Sequence, residues 1–165
     1  MPALSVSTPR VRIQIEDFDV SAEIAALRAQ DARVGAICSF VGSVRDRTAD
    51  ILGSISSMEL EHYPAMTEAA IEAMIDEAHR RFDIYGARVI HRIGLLEPLD
   101  QIVLVAVTSA HRRESFQACE VLMDYLKTQA PFWKKERTAQ GARWVDARVS
   151  DDTALARWGI SVSNT

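Results

Sequence analysis

The chain has 165 residues, 48% of them hydrophobic, with 19 Lys+Arg against 23 Asp+Glu and a formal net charge of −4. That size suits one domain with a sizeable core, so a single domain is expected over residues 1–150 and a polar C-terminal tail over residues 151–165. No apolar run approaches the roughly 20 residues of a membrane span, residues 1–10 lack the features of a secretory signal, and no strongly basic face marks a nucleic-acid footprint; a cytoplasmic protein is predicted.

Val11 to Ile15 alternates apolar and polar residues as a half-buried strand does. A short helix follows from an N-cap at Asp19 or Ser21 through Ile24 and Leu27. Val34 to Val41 reads as a buried strand, Gly42 to Arg47 as the polar loop leaving it, and Thr48 to Gly53 as a flexible stretch. Ile55 to Glu61 alternates again, with Ser56, Met58 and Leu60 on the face suited to a core. Pro64 fits the first turn of a helix, where a missing N–H costs nothing, and Ile71, Met74, Ile75, Ala78 and Phe82 recur at helical spacing.

Ala87 to Ile93 makes a further strand, ended by Gly94, and the apolar run Gln101 to Thr108 reads as a central strand covered on both faces. Phe116, Cys119, Leu122, Met123 and Leu126 then trace the stripe of a second long helix. Pro131 disfavours helix at Ala130, which puts Lys127 in the last helical turn and Lys134 and Lys135 beyond the break. Ala142 to Arg148 is the last predicted strand, and Trp158 is the one large apolar anchor of the tail. The elements together predict an α+β fold: a mixed or antiparallel sheet with two long amphipathic helices.

Charge is unevenly placed along this scaffold. Residues 1–110 carry 10 Lys+Arg against 16 Asp+Glu (−6), residues 111–148 carry 8 against 5 (+3), and the remainder carries 1 against 2 (−1). All three lysines, Lys127, Lys134 and Lys135, fall in that basic third, while arginine supplies the other 16 positive charges. A lysine ammonium can give or take a proton, whereas a guanidinium stays charged and clamps planar anions. The cluster therefore reads either as amine chemistry or as a helix ending in solvated lysines. Arg45 follows a strand, and His111 and Arg112 open a helix, where free N–H groups favour an anion. As residues alone, Arg45 and Arg112 also read as surface arginines, His111 as a helix cap, and Phe132 with Trp133 as core or interface. A helix over 112–127 would be roughly 24 Å long at about 1.5 Å per residue. Either two sites then exist within a subunit, or a symmetric dimer brings the start of one subunit's helix towards the end of its partner's. Cys38 and Cys119 sit in apolar surroundings without Cys-x-x-Cys spacing, and the four histidines are scattered, so no metal site, disulfide framework or other cofactor is expected.

Five blocks resemble, in order and spacing, the large catalytic subunit family of molybdopterin synthases: Phe40-Val41-Gly42-Ser43-Val44-Arg45, Leu60 to Met66, Val89 to Gly94, Ser109-Ala110-His111-Arg112, and Met123 to Glu136 with its Leu-Lys-Thr-Gln-Ala-Pro-Phe-Trp-Lys-Lys core. The match runs from about residue 11 to residue 148. This resemblance implies an α/β-hammerhead-like fold and a sulfurtransferase that builds the dithiolene of molybdopterin on cyclic pyranopterin monophosphate (precursor Z). It implies that the sulfur arrives as a thiocarboxylate on the C-terminal Gly-Gly of a small ubiquitin-like subunit, and that a central homodimer carries one small subunit at each end. Carried over by motif, Lys127 is the principal acid/base and Lys134 its electrostatic support. Arg45, His111 and Arg112 hold the substrate's phosphate, Arg148 joins the lysines in lining the thiocarboxylate path, and Phe40 and Met123 form apolar wall. Two other readings of the residues remain: a non-catalytic module that captures an acidic or C-terminal peptide, and a persulfide enzyme using Cys38 or Cys119, which their apolar setting disfavours.

Overall fold

A run such as Ile102 to Val107, β-branched and apolar with no polar face, is stable as a strand only where both of its faces are covered. The computed structural model, which describes residues 9–46, 55–139, 141–145, 156 and 158–159, places it at the centre of the fold. The elements in order are β1 (Val11–Gln14), α1 (Val20–Arg28), β2 (Ala36–Ser43), β3 (Ile55–His62), α2 (Met66–Arg81), β4 (Ile84–Arg92), β5 (Gly94–Leu96), β6 (Gln101–Ser109), α3 (Arg112–Thr128), β7 (Phe132–Thr138) and β8 (Gly141–Val145). They form two four-stranded sheets, β1-β4-β6-β2 and β5-β3-β7-β8. The first is mixed, because β1 runs parallel to β4 while β6 is antiparallel to both β4 and β2. The second is antiparallel throughout.

One face of the first sheet is covered by α2 and α3. Ile71, Ile75 and Ala78 from α2 meet Ala118, Val121 and Leu122 from α3 over Val89, Val105 and Val107, all almost free of solvent. Removing a buried side chain such as Leu122 typically costs about 2–5 kcal/mol, so this layer is the main source of cohesion. The opposite face is covered by α1, whose Leu27 packs with Phe18, Ile90, Leu104 and Ala106. Asp19 caps α1 by accepting from the Ala22 N–H at 3.0 Å. Glu23 accepts from the buried Arg88 guanidinium at 2.8 Å and also pairs with Arg12, which pins α1 to β4 and β1.

The sequence expectations hold for the central strand, for both long helices and for the buried Met58 and Leu60 of β3. Three need correction. The strand after Val34 is not buried: β2 is an edge strand with Phe40 42% and Val41 39% exposed, and it extends through Gly42 and Ser43, which were expected in a loop. Edge position explains both, since β6 supplies partners on one side only. Pro64 precedes α2 instead of opening it, because Ala65 takes a positive φ of 68° at the N-cap. The strand over Ala87 to Ile93 does end ahead of Gly94 as expected, and Gly94, at φ +84°, turns the chain directly into β5. Phe132 to Thr138, expected only as a segment beyond the helix break, is the strand β7 paired with β3 across some seventy residues of chain. That non-local pairing makes a second sheet where one was expected.

The stretch Thr48 to Gly53 and residues 146–148 of the last predicted strand lie outside the described residues; β8 is described over Gly141–Val145. In the tail, the Trp158 indole N–H donates to Asp124 Oδ2 at 2.7 Å, its ring meets Phe82 edge-on at 5.9 Å, and its carbonyl accepts from Arg81.

Candidate functional site

At one end of the first sheet β2 and β4 finish, β6 begins and α3 comes to its last turn. A cavity of about 610 Å³ opens there between the two sheets. Its walls come from Phe40 and Gly42 of β2, Met58 and Leu60 of β3, Met123 and Leu126 of α3, and Phe132 at the start of β7. The space depends on Gly42, where a Cβ would come within 2.9 Å of Val103 Cγ1 and crowd the Phe40 ring.

Three cations from separate elements meet at this cavity: Arg45, Lys127 and Lys134. Arg45 follows β2 in a loop held by Val44, which is 1% exposed. The Val44 N–H donates to the Asp100 carbonyl, and its own carbonyl accepts from the Leu99 N–H, both at 2.9 Å. Lys127 stands in the last turn of α3, where the negative end of the helix dipole favours a cation. It lines the cavity and is exposed at its mouth. Lys134 is on the cavity face of β7 opposite Leu60, with its Nζ 3.4 Å from the fully buried Glu136 carboxylate.

The turn between the two lysines is fixed from α2. Thr67, fully buried, donates through Oγ1 to the Pro131 carbonyl at 3.0 Å and accepts from the Tyr63 N–H at 3.0 Å. This ties the α3–β7 connection to the start of α2 and sets the two lysines relative to each other.

Other sequence candidates fall elsewhere. His111 is the N-cap of α3, without a side-chain cap bond, and it and Arg112 are exposed at the helix end remote from the cavity. The expectation that the two ends of this helix do not share a pocket within one subunit agrees with that placement. Arg148 lies outside the described residues. Phe132 lines the cavity, whereas Trp133 points to the other face of β7 and packs edge-on against Tyr63 at 4.6 Å. Cys119 is buried, and burial together with the neighbouring Cys38 pushes its thiol up, the opposite of what a reactive thiolate needs. Among the described residues no group of His, Cys, Asp and Glu could hold a metal ion.

Sequence reasoning missed His91. It is the second-last residue of β4, continues the core-facing row of Ala87 and Val89, and lines the cavity. Its ring stacks on Phe132 with centroids 3.8 Å apart and planes 18° from parallel. Nδ1 lies 2.7 Å from the Arg92 carbonyl, which can only accept, so Nδ1 carries the proton and Nε2 is left as an acceptor. Burial pushes the ring down to about 4, with the charges of Lys127 and His62 acting in the same direction, so it is neutral at pH 7. The signal was present in the alternation of the strand: a titratable residue in a core-facing row.

Taken together, the site is an apolar-walled cavity with cations at its edge, suited to an elongated or planar anion. The MoaE protein family matches residues 13–129 of this chain. The chain is similar to the molybdopterin synthase catalytic subunit of Ralstonia nicotianae, with 61% identity over 94% of this chain and 88% of that protein. It is also similar to the structure of the molybdopterin biosynthesis MoaE protein from Burkholderia ambifaria, with 54% identity, a TM-score of 0.79, and coverage of 93% of this chain and 100% of that one. The molybdopterin synthase structure from Staphylococcus aureus superposes with a TM-score of 0.77 at 28% identity, covering 84% of this chain and 98% of that one.

Proposed function

Because the chain belongs to the MoaE protein family, it is a sulfurtransferase of molybdenum cofactor biosynthesis, and we propose that its cavity is where a thiocarboxylated carrier meets precursor Z. The observation that carries this reading is the meeting of Arg45, Lys127 and Lys134, from three separate elements, on one apolar-walled cavity. A thiocarboxylate and a cyclic phosphate are both anions, and fixed cations hold both through charge-assisted hydrogen bonds.

Lys127 is the principal acid/base, supplying and removing protons as the cyclic phosphate opens and water leaves. Lys127 is exposed at the cavity mouth, and ligands that cover it there would supply the desolvation suited to proton transfer. Lys134, steadied by Glu136, supports it electrostatically. Phe40 and Met123 form apolar wall. Arg148 lines the thiocarboxylate path. His111 and Arg112 complete the phosphate site from a second copy of the chain, since their own helix holds them away from the cavity.

The assembly in this reading is a homodimer with a small ubiquitin-like carrier at each end, working in the cytoplasm without a metal or other cofactor. The catalytic domain spans residues 1–150 and the tail residues 151–165. Among the described residues no helix is long and apolar enough to cross a membrane. The test is to incubate the purified protein with a thiocarboxylated carrier and precursor Z and to look for the dithiolene product. Product is expected; its absence with a competent carrier would favour a non-catalytic module that only captures the carrier's tail.

A further inference from the structure

The charged groups at the cavity, Arg45, Lys127 and Lys134, are all hydrogen-bond donors and accept nothing. They can hold the anionic parts of a ligand, but they leave its N–H groups without partners. A ligand N–H carried into an apolar cavity and left unpaired costs binding free energy, so a site of this kind needs an acceptor on its wall. His91 offers one in a fixed position. Its Nδ1 is committed to the Arg92 carbonyl, its ring is clamped on Phe132, and its Nε2 has no protein partner among the described residues.

We propose that His91 is a further ligand-contacting residue, its Nε2 accepting a hydrogen bond from an N–H group of the molecule bound in the cavity. The inference rests on the function proposed above for this cavity. Under that reading two molecules bring such N–H groups: precursor Z through its pterin nitrogens, and the carrier through the backbone amides of its C-terminal tail. The chemistry required of His91 is the same for both. Because the acceptor is held by a backbone carbonyl and an aromatic stack, it is positioned before the ligand arrives, which spares the cost of ordering it on binding.

The test compares His91→Phe, which keeps the stack but removes the acceptor, with His91→Gln, whose amide oxygen reaches the position of Nε2. Dissociation constants for precursor Z and for the carrier are measured by calorimetry on the intact protein, beside thermal melts of each variant. The phenylalanine variant is expected to weaken one of the two ligands by roughly 5- to 100-fold, the scale of an unpaired buried donor, with glutamine recovering most of the loss. Weakening confined to precursor Z assigns the bond to the pterin, and weakening confined to the carrier assigns it to the tail amide. His91→Leu takes the place of His91→Phe if the larger ring does not fold. Wild-type affinity for both ligands in the variants, or a glutamine variant no better than phenylalanine, would overturn the proposal. Binding needs no turnover, so a wild-type protein that binds both ligands but makes no dithiolene overturns the assigned activity alone, and the comparison of variants still decides the role of His91.

Discussion

At the residue scale, the roles of Lys127 and His91 are separable by chemistry. If Lys127 transfers protons, Lys127→Ala lowers turnover by about 10²–10⁴-fold, the usual scale for a general acid–base group. Lys127→Arg then recovers little, because a guanidinium does not deprotonate. Turnover at saturating carrier and precursor Z decides this: near-wild-type activity in Lys127→Arg would reduce Lys127 to a positive lining and turn attention to Lys134. His91 makes a different prediction, about stability. Its ring titrates at about 4 in the folded protein against 6.5 ordinarily. As pH falls below about 6.5 the unfolded chain takes up a proton that the folded chain refuses, so folding stability drops between pH 6.5 and 4 and is unaffected by this group above that window. The full contribution is on the order of 3 kcal/mol, and for a chain of this size 1 kcal/mol moves the melting temperature by roughly 2–4 °C. Between pH 7 and pH 4.5 the wild type should therefore lose roughly 5–10 °C more than His91→Phe. Equal losses in the two proteins would place the acid sensitivity on other groups.

At the scale of elements, the site depends on how the ends of α3 and β7 are held. Thr67 is the tie, since one buried hydroxyl serves both the Pro131 carbonyl and the Tyr63 N–H. Thr67→Val keeps the volume and removes the hydroxyl, leaving the Tyr63 N–H without its acceptor. Expected is a loss of about 1–3 kcal/mol in urea unfolding. Turnover should fall as well, because the spacing of Lys127 and Lys134 is set by the same turn. A variant with unchanged stability would show that the turn is held by β3–β7 pairing instead. Prolines and glycines mark the ends of these elements in the sequence, but the partner of Thr67 is 64 positions away and no local pattern reveals it.

At the scale of the whole molecule, α3 separates its two sets of candidate residues by its own length, about 25 Å for 17 residues. A shared site built from two chains is the arrangement that uses both ends. Mixing an Arg112→Ala subunit with a Lys127→Ala subunit tests it. Each mixed dimer would contain one cavity with neither defect, so activity should rise above both parents towards a substantial fraction of wild type. Activity no higher than the parents would argue against a site shared between subunits.

The sequence by itself determined the α+β class, the two long amphipathic helices, the central strand Gln101 to Thr108, and the family, because hydrophobic periodicity and contiguous motifs are local properties. Its motifs also supplied five of the residues found around one cavity: Phe40, Arg45, Met123, Lys127 and Lys134. What only the tertiary structure decided are matters of non-local contact. The exposure of β2 follows from its place at a sheet edge, and the second sheet follows from pairing between β3 and β7. The cavity described here, and the neutral acceptor His91 at its wall, arise where two sheets and a helix end converge. Burial changes the chemistry of an imidazole by removing water from around it, and which residues lose their water is decided by the packing of distant segments.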